Sequence, residues 1–190
     1  MDKQKIIVGA TGASGMPILV RCLELIRQNG KCESCLVMSR SARLTLEQET
    51  GLRAEEIYPL ADKVLQEDQT GAGPASGTFP TKGMLIVPCS MKTLAGIHSG
   101  YGENLIQRAA DVTMKEQRTL VLAVRETPLS PIHLRNMQEL SMIPGVHIVP
   151  PMMTFYHKPK TIEEMTDHIA AKLLEHFGIE AGGYRRWQGI

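Results

Sequence analysis

Ile6-Ile7-Val8-Gly9-Ala10-Thr11-Gly12-Ala13-Ser14-Gly15 is an apolar run that leads directly into a glycine-rich turn of small residues. A helical pattern follows at once, because Met16, Leu19, Leu23 and Ile26 recur at the spacing of one helix face. A strand, a tight turn and a helix N-terminus in this order are typical of turns that bind phosphates or nucleotides in α/β proteins. The alternative is a turn that uses glycine only for tight packing.

The glycine spacing of this turn is G-x-x-G-x-x-G, whereas the dinucleotide fingerprint is G-x-G-x-x-G. The glycines alone therefore do not predict a nicotinamide site. Nicotinamide-binding folds also usually carry an acidic residue at the end of the second strand, where it binds the ribose. This chain has Ser39 and Arg40 after the strand predicted at 35–38, and these side chains suit a phosphate better than a ribose diol.

The composition is that of an ordinary globular domain. The 190 residues are 43% hydrophobic and 22% charged, which predicts one domain over 1–190 with a full core. The net charge of +1 argues against a nucleic-acid partner. No apolar run approaches the roughly 18 residues of a membrane span, and no signal-peptide pattern is present. We therefore expect a cytoplasmic protein with no membrane partner.

Further along the chain, short apolar runs alternate with helical patterns. The runs at 84–87, 120–124 and 146–149 predict buried strands, with helices at 105–116 and 134–142 between them. This alternation predicts an α/β fold with a mainly parallel sheet.

Two intervening stretches are less regular. Residues 52–68 predict a polar helical or irregular crossing. Residues 70–80 are the most loop-like part of the chain, and too little chain lies on either side for two independent cores. We expect a mobile loop over a site there, with an interdomain linker as the alternative.

A second strand-to-helix turn follows the run at 84–87. It reads Pro88-Cys89-Ser90-Met91-Lys92-Thr93, so Ser90 can cap the next helix. The exposed amides of that helix and the Lys92 ammonium together would favour an anion. Plain N-capping is the alternative.

Arg125 and Glu126 stand at the carboxyl end of the run at 120–124, where open α/β sheets keep their chemistry. A structural ion pair is the alternative, although a buried pair contributes little to stability. Elsewhere, Arg108 and Lys115 are seven residues apart on one helix face, and Lys172 flanks the apolar stripe of the last helix. Solvated surface is the ordinary role for these cations.

Cysteine and histidine spacing predicts neither a disulfide framework nor a metal site. Cys32-x-x-Cys35 has a redox spacing, but the pair enters a strand and not a helix N-terminus, where the thiol pKa would fall. The six histidines show no metal-ligand spacing, so we expect no metal. A G-x-S-x-G elbow and a Walker lysine are also absent from the sequence.

Several stretches, taken together, resemble one family. They include Gly12-Ala13-Ser14-Gly15, Ser76-Gly77-Thr78-Phe79, Pro88 to Ala95, Arg108-Ala109-Ala110-Asp111-Val112, Val124 to Leu129, Pro150-Pro151 with Phe155-Tyr156, and Arg186-Trp187-Gln188-Gly189. In these motifs the chain is similar, nearly end to end, to the UbiX-type flavin prenyltransferases. The branch is the one found beside hydroxyarylic-acid decarboxylases of the UbiD type.

The resemblance implies a three-layer α/β/α Rossmann-like (flavodoxin-like) sandwich that binds FMN. It also implies a homo-oligomer, a dodecamer, with sites shared between subunits and with the tail at 178–190 at subunit interfaces. The implied reaction moves a dimethylallyl group from dimethylallyl monophosphate to N5 and C6 of reduced FMN without a metal. A UbiD-type decarboxylase would then use the prenylated FMN.

The resemblance also implies roles for individual residues. Glu126 would transfer a proton, and Ser14, Glu49 and Trp187 would lie around the reacting atoms. Flavin-binding positions are Gly12, Ala13, Ser14, Ser39, Ser90, Met91, Lys92, Thr93, Arg108 and Arg125. Positions around the prenyl phosphate are Lys115, Arg125, Tyr156 and Lys172.

The chain departs from the family pattern at two positions: Thr78 replaces a serine, and Lys172 stands where many relatives have arginine. Lysine keeps the charge but loses the bidentate geometry, so the affinity for phosphate is the property affected.

Three rival functions stay open. A cysteine-type flavoprotein decarboxylase would carry a Pro-x-Met-Asn motif, but Pro150-Pro151-Met152-Met153 has no asparagine. A non-catalytic FMN-binding decarboxylase subunit would bind flavin without turnover. A nicotinamide-dependent reductase is disfavoured by the glycine spacing and by Ser39.

Overall fold

The computed structural model describes residues 3–181, 184 and 186–189. Within them, six parallel strands form one sheet in the order β3-β2-β1-β4-β5-β6. The strands are β1 (Gln4–Ala10), β2 (Cys32–Met38), β3 (Lys63–Gln66), β4 (Gly83–Cys89), β5 (Thr119–Val124) and β6 (Val146–Ile148).

Helices cover both faces of the sheet. They are α1 (Met16–Asn29), α2 (Arg40–Thr50), α3 (Ala54–Ile57), α4 (Met91–His98), α5 (Leu105–Lys115), α6 (Pro131–Ser141) and α7 (Ile162–Leu174). Single 3-10 turns lie at Tyr58–Leu60, Gly73–Ala75 and Glu175–Phe177. None of the described helices is both long and apolar enough to cross a membrane.

Two apolar clusters make the core, one on each face of the sheet. Side chains of α1, α2 and α7 pack on one face, and side chains of α4, α5 and α6 pack on the other. Both faces of the central strands are therefore buried, which explains why β4 and β5 are continuously apolar. The expected three-layer α/β/α sandwich is confirmed.

The order of the strands determines where a ligand can bind. From β1 the chain winds outward to β3, then returns to β4 on the other side of β1. This reversal opens a crevice at the carboxyl ends of β1 and β4, where doubly wound proteins bind their ligands. Thr11 joins the two turns there: its amide and hydroxyl donate to the Pro88 carbonyl at 3.1 and 3.0 Å, and its Oγ1 accepts from the Ser90 amide at 2.8 Å.

Two of the expected elements differ. The stretch at 52–68 contains the edge strand β3. Only Leu65 of this strand is buried, so the sequence has no apolar run there that would predict a strand. No residue of the loop at 70–80 lines the strand-end crevice; the loop contacts α5, and an added Cβ on Gly77 would lie 2.8 Å from Lys115 Nζ. The Arg118 guanidinium donates to the carbonyls of Phe79 and Gly77 at 2.9 and 2.7 Å, and an added Cβ on Gly73 would lie 2.6 Å from the Phe79 ring.

The apolar stripe expected on the last helix consists of Ile162, Met165, Ile169, Leu173 and Phe177. It is buried only toward its carboxyl end, where Leu173 and Phe177 are fully buried, while Met165 and Ile169 are half-buried. Ile162 is 78% exposed, whereas His168, Ala170 and Ala171 are buried beside Leu173 and Leu174. The packing of α7 against α1 determines which residues face inward.

The Cys32-x-x-Cys35 pair is divided by the sheet. Cys32 belongs to the core cluster on one face and Cys35 to the cluster on the other, as expected for residues three apart on a strand. Both thiols are free and buried, and burial raises the pKa of the Cys35 thiol. These two thiols therefore do not form a redox pair.

Candidate functional site

A cleft of about 340 Å3 opens at the carboxyl ends of β1, β2 and β4. Five of the predicted flavin-binding residues line this strand-end cleft: Gly12, Ser39, Ser90, Lys92 and Thr93. They are far apart in sequence but all follow parallel strands, whose carboxyl ends meet at one edge of the sheet.

Two serines shape the cleft by capping helices. Ser39 Oγ accepts from the Ala42 amide at 3.1 Å at the start of α2, and Ser90 Oγ accepts from the Thr93 amide at 3.3 Å at the start of α4. The Ser90 hydroxyl also donates to Thr93 Oγ1 at 3.1 Å. The plain capping interpretation of the sequence is thus correct, and the same caps direct the first turns of both helices toward the cleft.

Gly12 allows the closest approach in the cleft wall. A Cβ built on Gly12 would lie 2.4 Å from the Cβ of Ser41 in α2, far inside contact distance. Glycine at this position therefore lets the first turn of α2 pack against the turn that follows β1.

The three helix N-termini at this edge differ in what they offer an anion. At α1, the Glu49 carboxylate accepts from the amides of Gly15 and Met16 at 3.0 and 2.8 Å. At α2, Glu67 accepts from the Arg40 amide at 2.7 Å. At α4, the amides of Met91 and Lys92 meet no acceptor within the described part of the chain.

Two of the amides to which this turn leads, those of Gly15 and Met16, are therefore already paired within the chain. A carboxylate of the chain itself occupies the α1 terminus, whereas the first amides of α4, which begins after β4, meet no acceptor among the described residues. Lys92 adds charge at this point, because its Nζ is largely exposed and lies 3.8 Å from Glu103 Oε2.

Glu49 forms a second cluster with Ser14 and Arg125 around the start of α1. Burial alone would raise the pKa of Glu49. Hydrogen bonds from the Ser14 side chain and from the two α1 amides outweigh burial, and the charge of Arg125 acts in the same direction. The pKa of Glu49 therefore lies below its ordinary value, and the carboxylate is ionised beside the cleft.

A separate pocket of about 200 Å3 lies between the loop after β6 and α7. This aromatic pocket is lined by Tyr156, His168, Lys172 and Tyr184, among others. The Lys172 ammonium pairs with the Glu175 carboxylate, and that hydrogen bond raises the pKa of Lys172. Trp187 lies edge-on to Tyr156 with ring centroids 5.6 Å apart.

The structure places the other predicted residues as follows. Ala13 and Met91 are buried beside the cleft, and Arg108 pairs with Asp111 at 2.7 Å. Arg125 and Glu126 are both exposed and make no ion pair with each other among the described residues. The Glu126 carboxylate accepts from the Thr127 amide at 3.0 Å, so its side chain remains open to solvent.

Lys115 is not brought together with the other phosphate candidates. Helix α5 begins at the cleft edge, where the Leu105 amide donates to the Glu67 carbonyl at 2.8 Å, and it ends just before β5 begins. A helix rises about 1.5 Å per residue, so Lys115 lies about 15 Å along the axis toward the opposite edge of the sheet. Its Nζ pairs there with Glu116 Oε1 at 2.6 Å.

Sequence reasoning missed several residues of the cleft, namely Thr11, Ser41, Asn104 and Gln107. Asn104 was detectable, because it caps α5 by accepting from the Gln107 amide at 3.0 Å. Gln107 is buried in α5 and had no signal, because only the tertiary packing directs it to the cleft. No group of three or more His, Cys, Asp or Glu side chains among the described residues could hold a metal ion.

Comparison with known proteins identifies the family. Residues 1–174 match the model of the Flavoprotein family. The chain is 53% identical over 186 residues to a probable UbiX-like flavin prenyltransferase of Streptomyces sp. (strain D7), which covers 98% of this chain and 92% of that protein.

Two solved structures share the fold over nearly the whole chain. One is a dodecameric FMN-dependent UbiX-like decarboxylase from Escherichia coli O157:H7, with a TM-score of 0.95 and 48% identity, covering 98% of this chain and 100% of that one. The other is AnUbiX (PadA1) in complex with FMN and dimethylallyl pyrophosphate, with a TM-score of 0.96 and 43% identity, covering 100% of both chains. The chain belongs to the Flavoprotein family and, within it, to the UbiX-like flavin prenyltransferases.

Proposed function

We propose that this protein transfers a dimethylallyl group from dimethylallyl monophosphate to N5 and C6 of reduced FMN. The observation that carries the proposal is the match over the full chain to AnUbiX, whose structure contains FMN and dimethylallyl pyrophosphate. The proposed product, prenylated FMN, would serve a UbiD-type aromatic acid decarboxylase in the cytoplasm. The proposed assembly is a dodecamer, as in the Escherichia coli relative.

The strand-end cleft fits FMN in size and in chemistry. Ligand pockets commonly enclose 300 Å3 or more, and this one encloses about 340 Å3. A flavin mononucleotide carries ribityl hydroxyls and one phosphate, which need hydroxyl partners and an anion site. Ser39, Ser90 and Thr93 supply the hydroxyls, while the α4 amides and Lys92 supply the anion site.

When bound, reduced FMN supplies the nucleophilic atoms, and the departing phosphate takes the electrons of the allylic C–O bond. The residues of this chain then have to hold that phosphate as its charge grows. We assign this role to the cations Arg125 and Lys172, with a hydrogen bond from the Tyr156 hydroxyl, and to a Lys115 supplied by a neighbouring subunit of the proposed assembly. Lys172 would exchange its pairing with Glu175 for the phosphate.

The aromatic side chains would keep water away from the reacting prenyl group. Tyr156 and Trp187 present ring edges and faces beside the aromatic pocket. An allylic group that develops positive charge is stabilised by aromatic faces and reacts with water. The rings of Tyr156 and Trp187 would therefore both stabilise this charge and exclude water.

We assign proton transfer at the leaving phosphate to the exposed carboxylate of Glu126. The Glu126→Gln variant is expected to retain its FMN affinity and to form product about 100-fold more slowly, the usual effect of losing a general acid or base. Anaerobic stopped-flow absorbance with reduced FMN measures the rate. Glu47→Gln, an exposed carboxylate on α2, is the control. Unchanged turnover in Glu126→Gln would remove Glu126 from the mechanism.

One experiment tests the proposed function directly. The protein is mixed with dithionite-reduced FMN and dimethylallyl monophosphate under nitrogen, in buffer containing EDTA, and the flavin is analysed by mass spectrometry. A flavin that is heavier by one C5H8 unit is the expected result. If FMN binds but its mass does not change, the protein is a non-catalytic flavin-binding subunit.

The cysteine-decarboxylase alternative is tested with the same protein and oxidised FMN, without dithionite, because this oxidative decarboxylation passes two electrons to the flavin. A peptide with a C-terminal cysteine replaces the prenyl phosphate, and loss of carbon dioxide from the peptide is followed by mass spectrometry. We expect no loss, because Met153 stands where those enzymes carry the asparagine of their motif.

A further inference from the structure

The backbone around Tyr156 does not determine the position of its hydroxyl. The residue lies in the irregular loop between β6 and α7, and its side chain is 45% exposed. The hydroxyl has one protein partner in the described structure, His168 Nε2, at 3.0 Å. The position of the Tyr156 oxygen therefore depends on His168.

His168 is itself held firmly. It is 7% exposed and lies on the face of α7 whose neighbours, Ala170, Ala171 and Leu174, are buried. The His157 ring stacks on it with centroids 4.2 Å apart and planes 6° apart, and Tyr184 packs against it at 4.8 Å. The imidazole is thus attached to the rigid core and held between two other rings.

The surroundings of the His168 ring favour its neutral form. Burial, and then the neighbouring His157, lower the pKa of His168, with Lys172 acting in the same direction and Glu175 opposing it. A neutral imidazole has one protonated nitrogen and one unprotonated nitrogen. The bond to Tyr156 can therefore run in either direction, with different consequences for the phenol.

If Tyr156 donated its proton to His168, the hydroxyl would have no proton left for a phosphate oxygen. If His168 Nε2–H donates to the Tyr156 oxygen, the phenolic proton remains available on the side of the pocket that Lys172 lines. Only in the second arrangement can the Tyr156 hydroxyl and the Lys172 ammonium both donate to the same phosphate.

We propose that His168 is a positioning residue that donates Nε2–H to the Tyr156 oxygen and so directs the phenolic proton at the prenyl phosphate. This inference rests on the proposed function for the identity of the phosphate. The assignment of the hydrogen-bond direction concerns the protein alone.

The direction can be measured without flavin or substrate. Protein labelled with 15N at histidine gives imidazole nitrogen shifts that separate protonated from unprotonated ring nitrogens, and the signal missing from His168→Gln assigns the residue. A protonated Nε2 in His168 is the expected result. An unprotonated Nε2 overturns the proposal, whatever the activity of the protein.

Kinetics of matched variants measure the consequence. His168→Gln and His168→Asn both remove the ring stacking with His157, but only glutamine reaches the former Nε2 position with an amide donor. For His168→Asn we expect the KM for dimethylallyl monophosphate to rise about tenfold, the usual effect of losing a hydrogen bond to a charged group. We expect His168→Gln to recover most of this loss, and the FMN Kd, measured by fluorescence, to stay unchanged in both.

A double-mutant cycle separates positioning from general stability. If His168 acts only through the Tyr156 hydroxyl, His168→Asn has no further effect in a Tyr156→Phe background. The proposal is wrong if the effects of His168→Asn and Tyr156→Phe on KM multiply in the double variant. It is also wrong if His168→Gln and His168→Asn raise KM equally. His98→Gln, a paired histidine at the α4–α6 surface, is the control. If wild-type protein forms no prenylated flavin, the proposed function fails while the nitrogen shifts still decide the hydrogen-bond direction.

Discussion

Co-assembly of two inactive variants, Lys115→Ala and Lys172→Ala, is expected to restore prenyl transfer to reduced FMN. Lys172 lies on α7 beside the aromatic pocket, whereas Lys115 lies on α5, on the opposite face of the sheet of its own subunit. If both cations act on one phosphate, they come from different subunits. In a random equal mixture about a quarter of the sites would then contain both lysines, so about a quarter of wild-type activity should return.

The measurement needs the two variants with different affinity tags, expressed together and purified through both tags. Anaerobic formation of prenylated FMN is then compared with that of each variant alone. Tyr156→Phe with Lys172→Ala is the matched control, because both residues line one pocket of one subunit and mixing creates no intact site. If doubly tagged assemblies stay inactive in the Lys115 mixture, the assignment of Lys115 to a shared phosphate site is wrong.

Gly83→Ala is expected to lower the free energy of unfolding by about 3 kcal/mol or more, which would unfold much of the protein at 37 °C. Gly83 begins the central strand β4, between Ile6 of β1 and Thr119 of β5. Its φ of 154° is unusual for residues with a side chain, and a Cβ would lie 2.1 Å from the Thr119 carbonyl oxygen and 3.1 Å from the Phe177 ring. The Thr119 backbone cannot move away from the added Cβ without breaking hydrogen bonds between β4 and β5.

Urea denaturation followed by circular dichroism measures this loss. Gly71→Ala is the control, since a Cβ at Gly71 meets no heavy atom within 4 Å and its φ lies outside the glycine-favoured range. The control should unfold at the wild-type urea concentration. A Gly83→Ala protein with wild-type stability would mean that β4 and β5 do not pair in the register described.

Local patterns predicted most of the fold. The continuous apolar runs of β4 and β5 were recognisable because both faces of these strands are buried. Ser90 was recognisable as a helix cap, because a cap needs only its own side chain and the next three residues. The edge strand β3 was missed, because three of its four residues are not buried and no pattern distinguishes it from a polar crossing.

The features of the candidate site were likewise predicted only in part. The family resemblance grouped Gly12, Ser39 and the Ser90–Thr93 turn. They meet in the structure because each follows a strand, and parallel strands end at one edge. That Glu49 fills the α1 terminus could not be predicted, because its carboxylate arrives from the far end of α2. The family resemblance grouped Lys115 with Lys172, but only the structure shows that α5 and α7, which carry them, lie on opposite faces of the sheet of one subunit.

By itself, the sequence determined the α/β class, the position of the strand-end turns and the types of side chain available at them. These features depend on residues close together in the chain, where periodicity and capping operate. The tertiary structure alone decided the strand order, the pairing of Glu49 with the α1 amides, and the contact of His168 with Tyr156. Such features depend on which distant residues the sheet brings together, and that is set by packing free energy summed over the whole core.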